Sequence, residues 1–232
     1  MSKKIKRIIL TILLLLSMFI CYYIYTGYRL YKKTIDTCDI QEVINAIQNQ
    51  KNYITIDQIP AIYHDAVIAV EDPSFYKHDG INLLAIFKAF IRNVGSMDYV
   101  EGGSTITQQI AKNLFFTQEK KIDRKVAEVF MVHQLEYYYT KEELFEIYIN
   151  AIYYGDGYYG IYDASIGYFG KEPSELTDNE ATLLAGIPNA PSIYALSNDY
   201  QLAKERQKTV IDAMIKHHYL TQEEGDLILE HP

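Results

Sequence analysis

Positions 69–80 read A-V-E-D-P-S-F-Y-K-H-D-G, the end of one helix and the start of a polar loop. Upstream, Ile62, Ala66, Ala69 and Val70 recur at helical spacing and lead into two adjacent carboxylates, Glu71 and Asp72. Pro73 stops the helix, because it lacks an N–H and disfavours helical geometry in the residue before it. Phe75, His78 and Gly80 follow in the loop. A carboxylate at the end of a buried helix, facing such a loop, suits a general base, since the loop can present a substrate to it. Acids at helix ends are equally common on plain surfaces, so the rest of the chain must decide between the two.

Working outward, helical signals dominate. Asp39 is an N-cap for Ile40, Val43, Ile44 and Ile47. Tyr53–Ile56 is a short β-like run before Pro60, which suits the first turn of the helix ending at Glu71. Asn82 can cap a helix through Leu83, Leu84, Ile86, Phe87 and Phe90, with Lys88 and Arg92 one turn apart on it. Gly95–Gly103 reads as a loop. Ser104 is placed to cap the helix T-I-T-Q-Q-I-A-K-N-L-F, with Ile106, Ile110 and Leu114 toward the core. Thr105, Gln108, Gln109 and Lys112 fall on its other side. A solvated face would carry Glu and Lys; this one carries amides, hydroxyls and one lysine, which suits hydrogen bonds to a polar ligand.

Asp123 is placed to cap a further helix, on which Arg124 and Glu128 share a face four residues apart. Lys112, Lys120, Lys121, Arg124 and Lys125 put five basic residues into 14 positions. Thr140-x-x-Glu143, Thr177-x-x-Glu180 and Thr221-x-x-Glu224 are capping boxes. The first opens a helix expected to reach Tyr154, where Gly155, Gly157 and Gly160 keep the following turn open. A long helix is expected over Asp199–His217. With no sustained strand pattern, the fold class is mainly α.

The 232 residues carry a formal charge of −8. Seven of the 22 basic side chains and none of the 30 acidic ones fall within residues 1–33, so the remainder is strongly acidic. That argues against nucleic acid as a partner, and an anionic ligand needs the local basic cluster. Cys21 and Cys38 form no disulfide framework and have no zinc-site spacing. Ile8–Tyr28 is 21 residues without a charge, preceded by Lys3, Lys4, Lys6 and Arg7. At about 1.5 Å per residue it covers the ~30 Å hydrocarbon core. The flanking charge keeps the N-terminus cytoplasmic, and no small-x-small cleavage site follows, so an uncleaved anchor is expected. The expected organisation is a cytoplasmic tail (1–7), a transmembrane anchor (8–28), a stalk or helical linker (29–52) and an extracytoplasmic domain (53–232).

Together these residues resemble the peptidoglycan glycosyltransferase family, whose members occur as single-domain enzymes or as the first domain of bifunctional penicillin-binding proteins. The resemblance runs over roughly 54–224. Its motifs are Glu71-Asp72-x-x-Phe75-x-x-His78-x-Gly80, then Gly102 or Gly103 through Ser104, Thr105, Thr107, Gln108, Gln109, Lys112 and Asn113. Arg124-Lys125-x-x-Glu128 follows, then Lys141 through Tyr148, Asn150, Tyr154, Gly155, Gly160 and Tyr168-Phe169-Gly170, and last Glu180 through Pro191-x-x-Tyr194.

The resemblance implies a lysozyme-like, two-lobed helical domain behind a single transmembrane helix. It implies an inverting transferase that polymerises lipid II into β-1,4-linked glycan, with a lipid pyrophosphate as leaving group. Glu71 is then the general base and Glu128 the second essential carboxylate, which either orients the site or holds a divalent metal. Lys112, Lys120 and Arg124 match the cations at the pyrophosphate. Asp72, Phe75, His78, Lys88, Ser104, Thr105, Gln108, Gln109 and Asn113 complete the expected substrate site, with His78 more a loop-fixing residue than a proton shuttle. Lys88 stands where the family has arginine, and Ala195 where a proline is common. No cofactor is obligatory; Mg or Mn at the pyrophosphate stays open. The expected partners are lipid II, the lipid-linked glycan, the membrane and other cell-wall synthesis proteins. With no room for a transpeptidase domain, the expectation is a monofunctional enzyme. Two alternatives remain: an inactive membrane-anchored assembly partner, and a lytic lysozyme-like enzyme acting on the same polymer.

Overall fold

A computed structural model of the chain describes residues 3–84, 86, 103–117, 119 and 121–230. Its helices are α1 (Lys3–Thr37), α2 (Ile40–Gln48), α3 (Ala61–Glu71), α4 (Ile106–Phe115), α5 (Ile122–Tyr138), α6 (Lys141–Ala151), α7 (Ile161–Phe169), α8 (Asp178–Gly186), α9 (Tyr200–Lys216) and α10 (Gln222–Glu230). Between α8 and α9 lies a single turn, Pro191–Tyr194. Helical structure resumes at Leu83 and Leu84, beyond which Lys88, Arg92, most of the Gly95–Gly103 loop and Lys120 lie outside the described residues. Among the described residues the sole β pairing is the isolated bridge Tyr153–Tyr159.

Helix α3 is the hub, packed between α8 and α9. Tyr63, Ala66, Val67, Ile68 and Ala69 are all buried, leaving Ile62 and Val70 only partly covered. The apolar stripe is therefore wider than the spacing of Ile62 and Val70 indicates, as befits a helix enclosed on most sides. Each fully buried Val or Ile side chain contributes roughly 1.5–3 kcal/mol. Helix α4 packs against α5 and α6 on the far side of the core.

The capping signals hold at several ends. Asp39 accepts from Gln41 and Glu42 N–H groups, and Thr140–Glu143 and Thr177–Glu180 form capping boxes. The run at Tyr53–Ile56 is not a strand. The amide of Asn150 bonds both the N–H (2.8 Å) and the C=O (2.7 Å) of Ile54, satisfying backbone that a strand partner would otherwise take. Helix α6 stops at Ala151, three residues short of Tyr154. A tight turn through Gly155, Asp156 and Gly157, all at positive φ, then reverses the chain.

Helix α1 is one continuous helix of 35 residues, on the order of 50 Å long. Its apolar window is exposed, but its C-terminal part lies along α5. Gly27 allows the approach: a Cβ there would stand 2.5 Å from Val126 Cβ and 2.9 Å from the Asp123 carbonyl. The rings of Tyr28 and Tyr31 pack on Phe130 at 5.3 and 5.7 Å. Gly27→Val should force α1 off α5. The expected outcome is a destabilisation of about 1–3 kcal/mol, the usual cost of overpacking, read as a lowered Tm of the detergent-solubilised full chain.

Candidate active site

Helix α3 delivers Glu71 as its last residue and Asp72 as its C-cap. Asp72 is buried, and both its oxygens lie 3.0 Å from His78 Nε2. The Gly80 N–H donates to His78 Nδ1 at 3.0 Å, so Nδ1 accepts and Nε2 donates to Asp72. Asp72 Oδ2 also accepts the Ile106 N–H at 3.2 Å, an anion set at the N-terminus of α4. Thr105, the N-cap of α4, donates its hydroxyl to the Gly80 carbonyl at 2.6 Å and accepts the Gln108 N–H at 3.1 Å. Gln108 returns the bond to the Thr105 N–H at 3.0 Å.

These side chains join the end of α3 to the start of α4. The cap is Thr105 rather than Ser104, because the Thr-x-x-Gln spacing closes a reciprocal box one residue later. Thr105 and Gln108, expected on a ligand-facing stripe, are buried with protein partners. Phe75 is wholly buried, with Lys141 Nζ 4.6 Å from its ring centre. Asp123 is likewise not a cap; α5 begins at Ile122, and Asp123 sits in its first turn.

Around Glu71 the picture differs. Its side chain is only 9% exposed, yet it does not fill its bonding capacity. Gln109 Nε2 donates to Oε2 at 2.6 Å. Oε1 is buried and accepts no hydrogen bond among the described residues; Arg206 Nη2 stands 3.5 Å away. Tyr148 lies in the same neighbourhood with its hydroxyl buried and unpartnered among the described residues. Burial, then the Glu71 charge, pushes that phenol well above its ordinary value. Tyr63 and Tyr154 share a buried O···O contact of 2.5 Å, and the Glu71 charge raises both, after larger effects led by burial.

The second carboxylate, Glu128, is fully buried on α5 and ion-paired to Arg124 and, at 2.8 Å, to Lys125. Lys125 Nζ also donates to the Ser104 hydroxyl at 3.0 Å, which ties α5 to the start of α4. Arg124 Nε donates to the Glu119 carbonyl. Burial lowers the Lys125 ammonium to about 8, with the charges of Arg124 and Lys112 adding to the effect. Lys112 is lowered by burial and by Arg124, and it feels Glu71 in the opposite sense. Lys112 thus lies within electrostatic reach of both Glu71 and the Arg124 that pairs with Glu128. Asn113 lies half-buried on the same helix.

The donor set does not fit a divalent ion held by the protein alone. Both Glu128 oxygens already face cations, and among the described residues no three His, Cys, Asp or Glu side chains come together. Two participants escaped the sequence reading of individual residues. Lys125 stands in the basic cluster and in the Arg124-Lys125-x-x-Glu128 motif, but neither assigns it a role of its own. Arg206 carried one signal, being the last arginine in a stretch whose other basic residues are lysines.

A family model described as transglycosylase matches residues 39–215. A monofunctional glycosyltransferase of Staphylococcus haemolyticus is 35% identical over 227 residues, covering 95% of this chain and 82% of that protein. Penicillin-binding protein 1F of Bacillus subtilis is 41% identical over 184 residues, covering 79% of this chain and 26% of that protein. The chain spans about a quarter of the length of the penicillin-binding proteins first matched. A crystal structure of penicillin-binding protein 1A from Haemophilus influenzae aligns with 78% of this chain and 17% of its own at 21% identity, TM-score 0.45.

Lys125 should be cationic below pH 8 and neutral above it. Inorganic pyrophosphate binding by the wild type should therefore weaken relative to Lys125→Arg as pH rises from 7 to 9, by up to about tenfold, the worth of one pKa unit. Isothermal titration of both proteins across that range checks it; a constant ratio would show that Lys125 keeps its proton.

Proposed function

The chain belongs to the transglycosylase family, and from that premise we propose that it polymerises lipid II into peptidoglycan glycan, with Glu71 as general base. The observation that carries this reading is the state of the Glu71 carboxylate: buried, fixed through one oxygen by Gln109, and open to a proton at the other. A surface acid would be solvated at both oxygens. A purely structural buried acid would have both satisfied, as Asp72 does.

In the proposed reaction, Glu71 Oε1 accepts the proton of the acceptor sugar's 4-hydroxyl while that oxygen attacks the anomeric carbon of the donor. The bond to the lipid pyrophosphate breaks with inversion. Negative charge then grows on the leaving oxygen, where preorganised cations stabilise the transition state more than the ground state. Lys112, Arg124 and Lys125 supply that charge. Glu128 holds Arg124 and Lys125 in place, since two like cations converging on one site from adjacent positions would otherwise repel each other. Lys120 stays in the proposal as a further cation at the pyrophosphate, and Lys88 as a substrate-site residue. Ser104 takes part through its bond to Lys125.

The exposed apolar part of α1 supports a single-pass anchor, with the N-terminus cytoplasmic and the catalytic body on the other face. Such an anchor holds the enzyme at the surface where its lipid-linked substrate resides. The relatives named as penicillin-binding proteins and glycosyltransferases support the same cell-wall reading.

Polymerisation of labelled lipid II by the solubilised protein tests the proposal. Wild type should make long glycan, and Glu71→Gln should lose roughly 10²–10⁴-fold or more, the usual contribution of a positioned base. A folded wild type that makes no polymer would overturn the reading in favour of an assembly partner. Cleavage of finished glycan strands would favour a lytic enzyme.

A further inference from the structure

Arg206 comes from α9, 135 positions after Glu71 in the chain, yet its guanidinium ends against the same carboxylate. Its setting is specific. Nε donates to the Gly186 carbonyl at 3.3 Å, at the C-terminal end of α8, where unpaired helix carbonyls favour a cation. Gly186 fits the arginine stem: a Cβ there would stand 3.0 Å from Arg206 Cγ. The side chain is 13% exposed, so it is held between α8 and α3 rather than waving in solvent. From there Nη2 stops 3.5 Å from Glu71 Oε1.

That separation matters chemically. A bidentate ion pair at hydrogen-bonding distance would keep the carboxylate charged but occupy the lone pairs a base must use. At 3.5 Å the guanidinium attracts the negative charge without claiming the lone pair. Gln109, bonded to Oε2, fixes the rotation of the carboxylate. We infer that Arg206 is a positioning residue for Glu71, seated on the end of α8 so as to keep the base ionised while leaving Oε1 free for the proton. This rests on Glu71 acting as the base.

The other groups facing Glu71 do not supply this. Tyr63 on α3, Tyr148 on α6 and Tyr154 just beyond it are buried phenols whose ordinary values are raised, so they stay neutral. The last two turns of α8, Ala181–Gly186, carry no titratable side chain. Lys112 on α4 is cationic but is also engaged electrostatically with Arg124. Asp72, next in the chain, has its charge absorbed by His78 and the start of α4. On α9, Lys204 and Lys208 are the neighbouring cations, and neither is ion-paired among the described residues.

The test compares Arg206→Gln, Arg206→Lys and Glu71→Gln with wild type in the full chain, over a pH series of lipid II polymerisation. Removing a cation beside a carboxylate raises its proton affinity, so more alkaline solution is needed to ionise it. Arg206→Gln should therefore move the acid limb of kcat/KM upward by about one pH unit, lower kcat by up to about tenfold on the acid side of that limb, and leave KM nearly unchanged. Arg206→Lys should recover kcat to within about threefold of wild type, with the limb restored. An unmoved acid limb, or a rise in KM alone, would overturn the inference. Glu71→Gln separates the two layers. If it is inactive while the Arg206→Gln limb stays put, only this inference fails; if it is active, the base assignment fails and takes the inference with it. Should Arg206→Gln not fold, Arg206→Lys decides: near-normal kcat with the limb in place supports the role, and a collapsed kcat overturns it.

Discussion

The carboxylate of Asp72 is the joint on which the site depends. It accepts the imidazole of His78 and the first N–H of α4, so a single side chain fixes the loop after α3 and the helix after the loop. Thr105 closes the same joint from the other direction through the Gly80 carbonyl. Glu71 sits immediately before this lock, and Gln109 one turn into the helix the lock positions. The 2.6 Å bond between them follows from that arrangement. Loss of the Asp72 carboxylate would leave a largely buried imidazole N–H and a helix N-terminus unsatisfied together, a far larger disturbance than loss of one surface contact.

The three acids near the site have been given three different surroundings. Asp72 is saturated by donors and has no capacity left. Glu128 is saturated by cations and serves to hold them. Glu71 has one donor, one distant cation and one open oxygen. Two carboxylates in different environments, one free to exchange a proton and one bound to charge, is the arrangement by which one fold separates proton transfer from charge stabilisation. Lys112, which feels both Glu71 and Arg124, makes the two parts a single electrostatic unit.

Much of this was legible in the sequence. Pro73 forced the end of α3, Arg124 and Glu128 met because they lie four apart on one helix, and the Thr-x-x-Glu boxes set the starts of α6 and α8. What misled was the polar stripe on α4. Thr105 and Gln108 have the residue types of a ligand contact and also those of a capping box, and the backbone donors at a helix start claimed them first. Arg206 was hidden for a different reason. Its partner is 135 positions away, and local periodicity carries no information about which helix end a side chain will reach. Lys88 and Lys120 lie outside the described residues and add nothing to either account.

The close contact at Gly27 has a mechanical consequence. Helix α1 runs without a break from its exposed apolar half into the surface of α5, the helix that carries Arg124, Lys125 and Glu128. On the reading that α1 crosses a bilayer, the anchor is a strut rather than a tether. It sets the height of the cationic face above the lipid headgroups and the compass direction in which that face looks. Each residue of such a strut is worth about 1.5 Å of height and about 100° of rotation, with 3.6 residues to the turn. The catalytic body would then neither bob nor swivel over the membrane, and growing glycan would leave it along one fixed bearing.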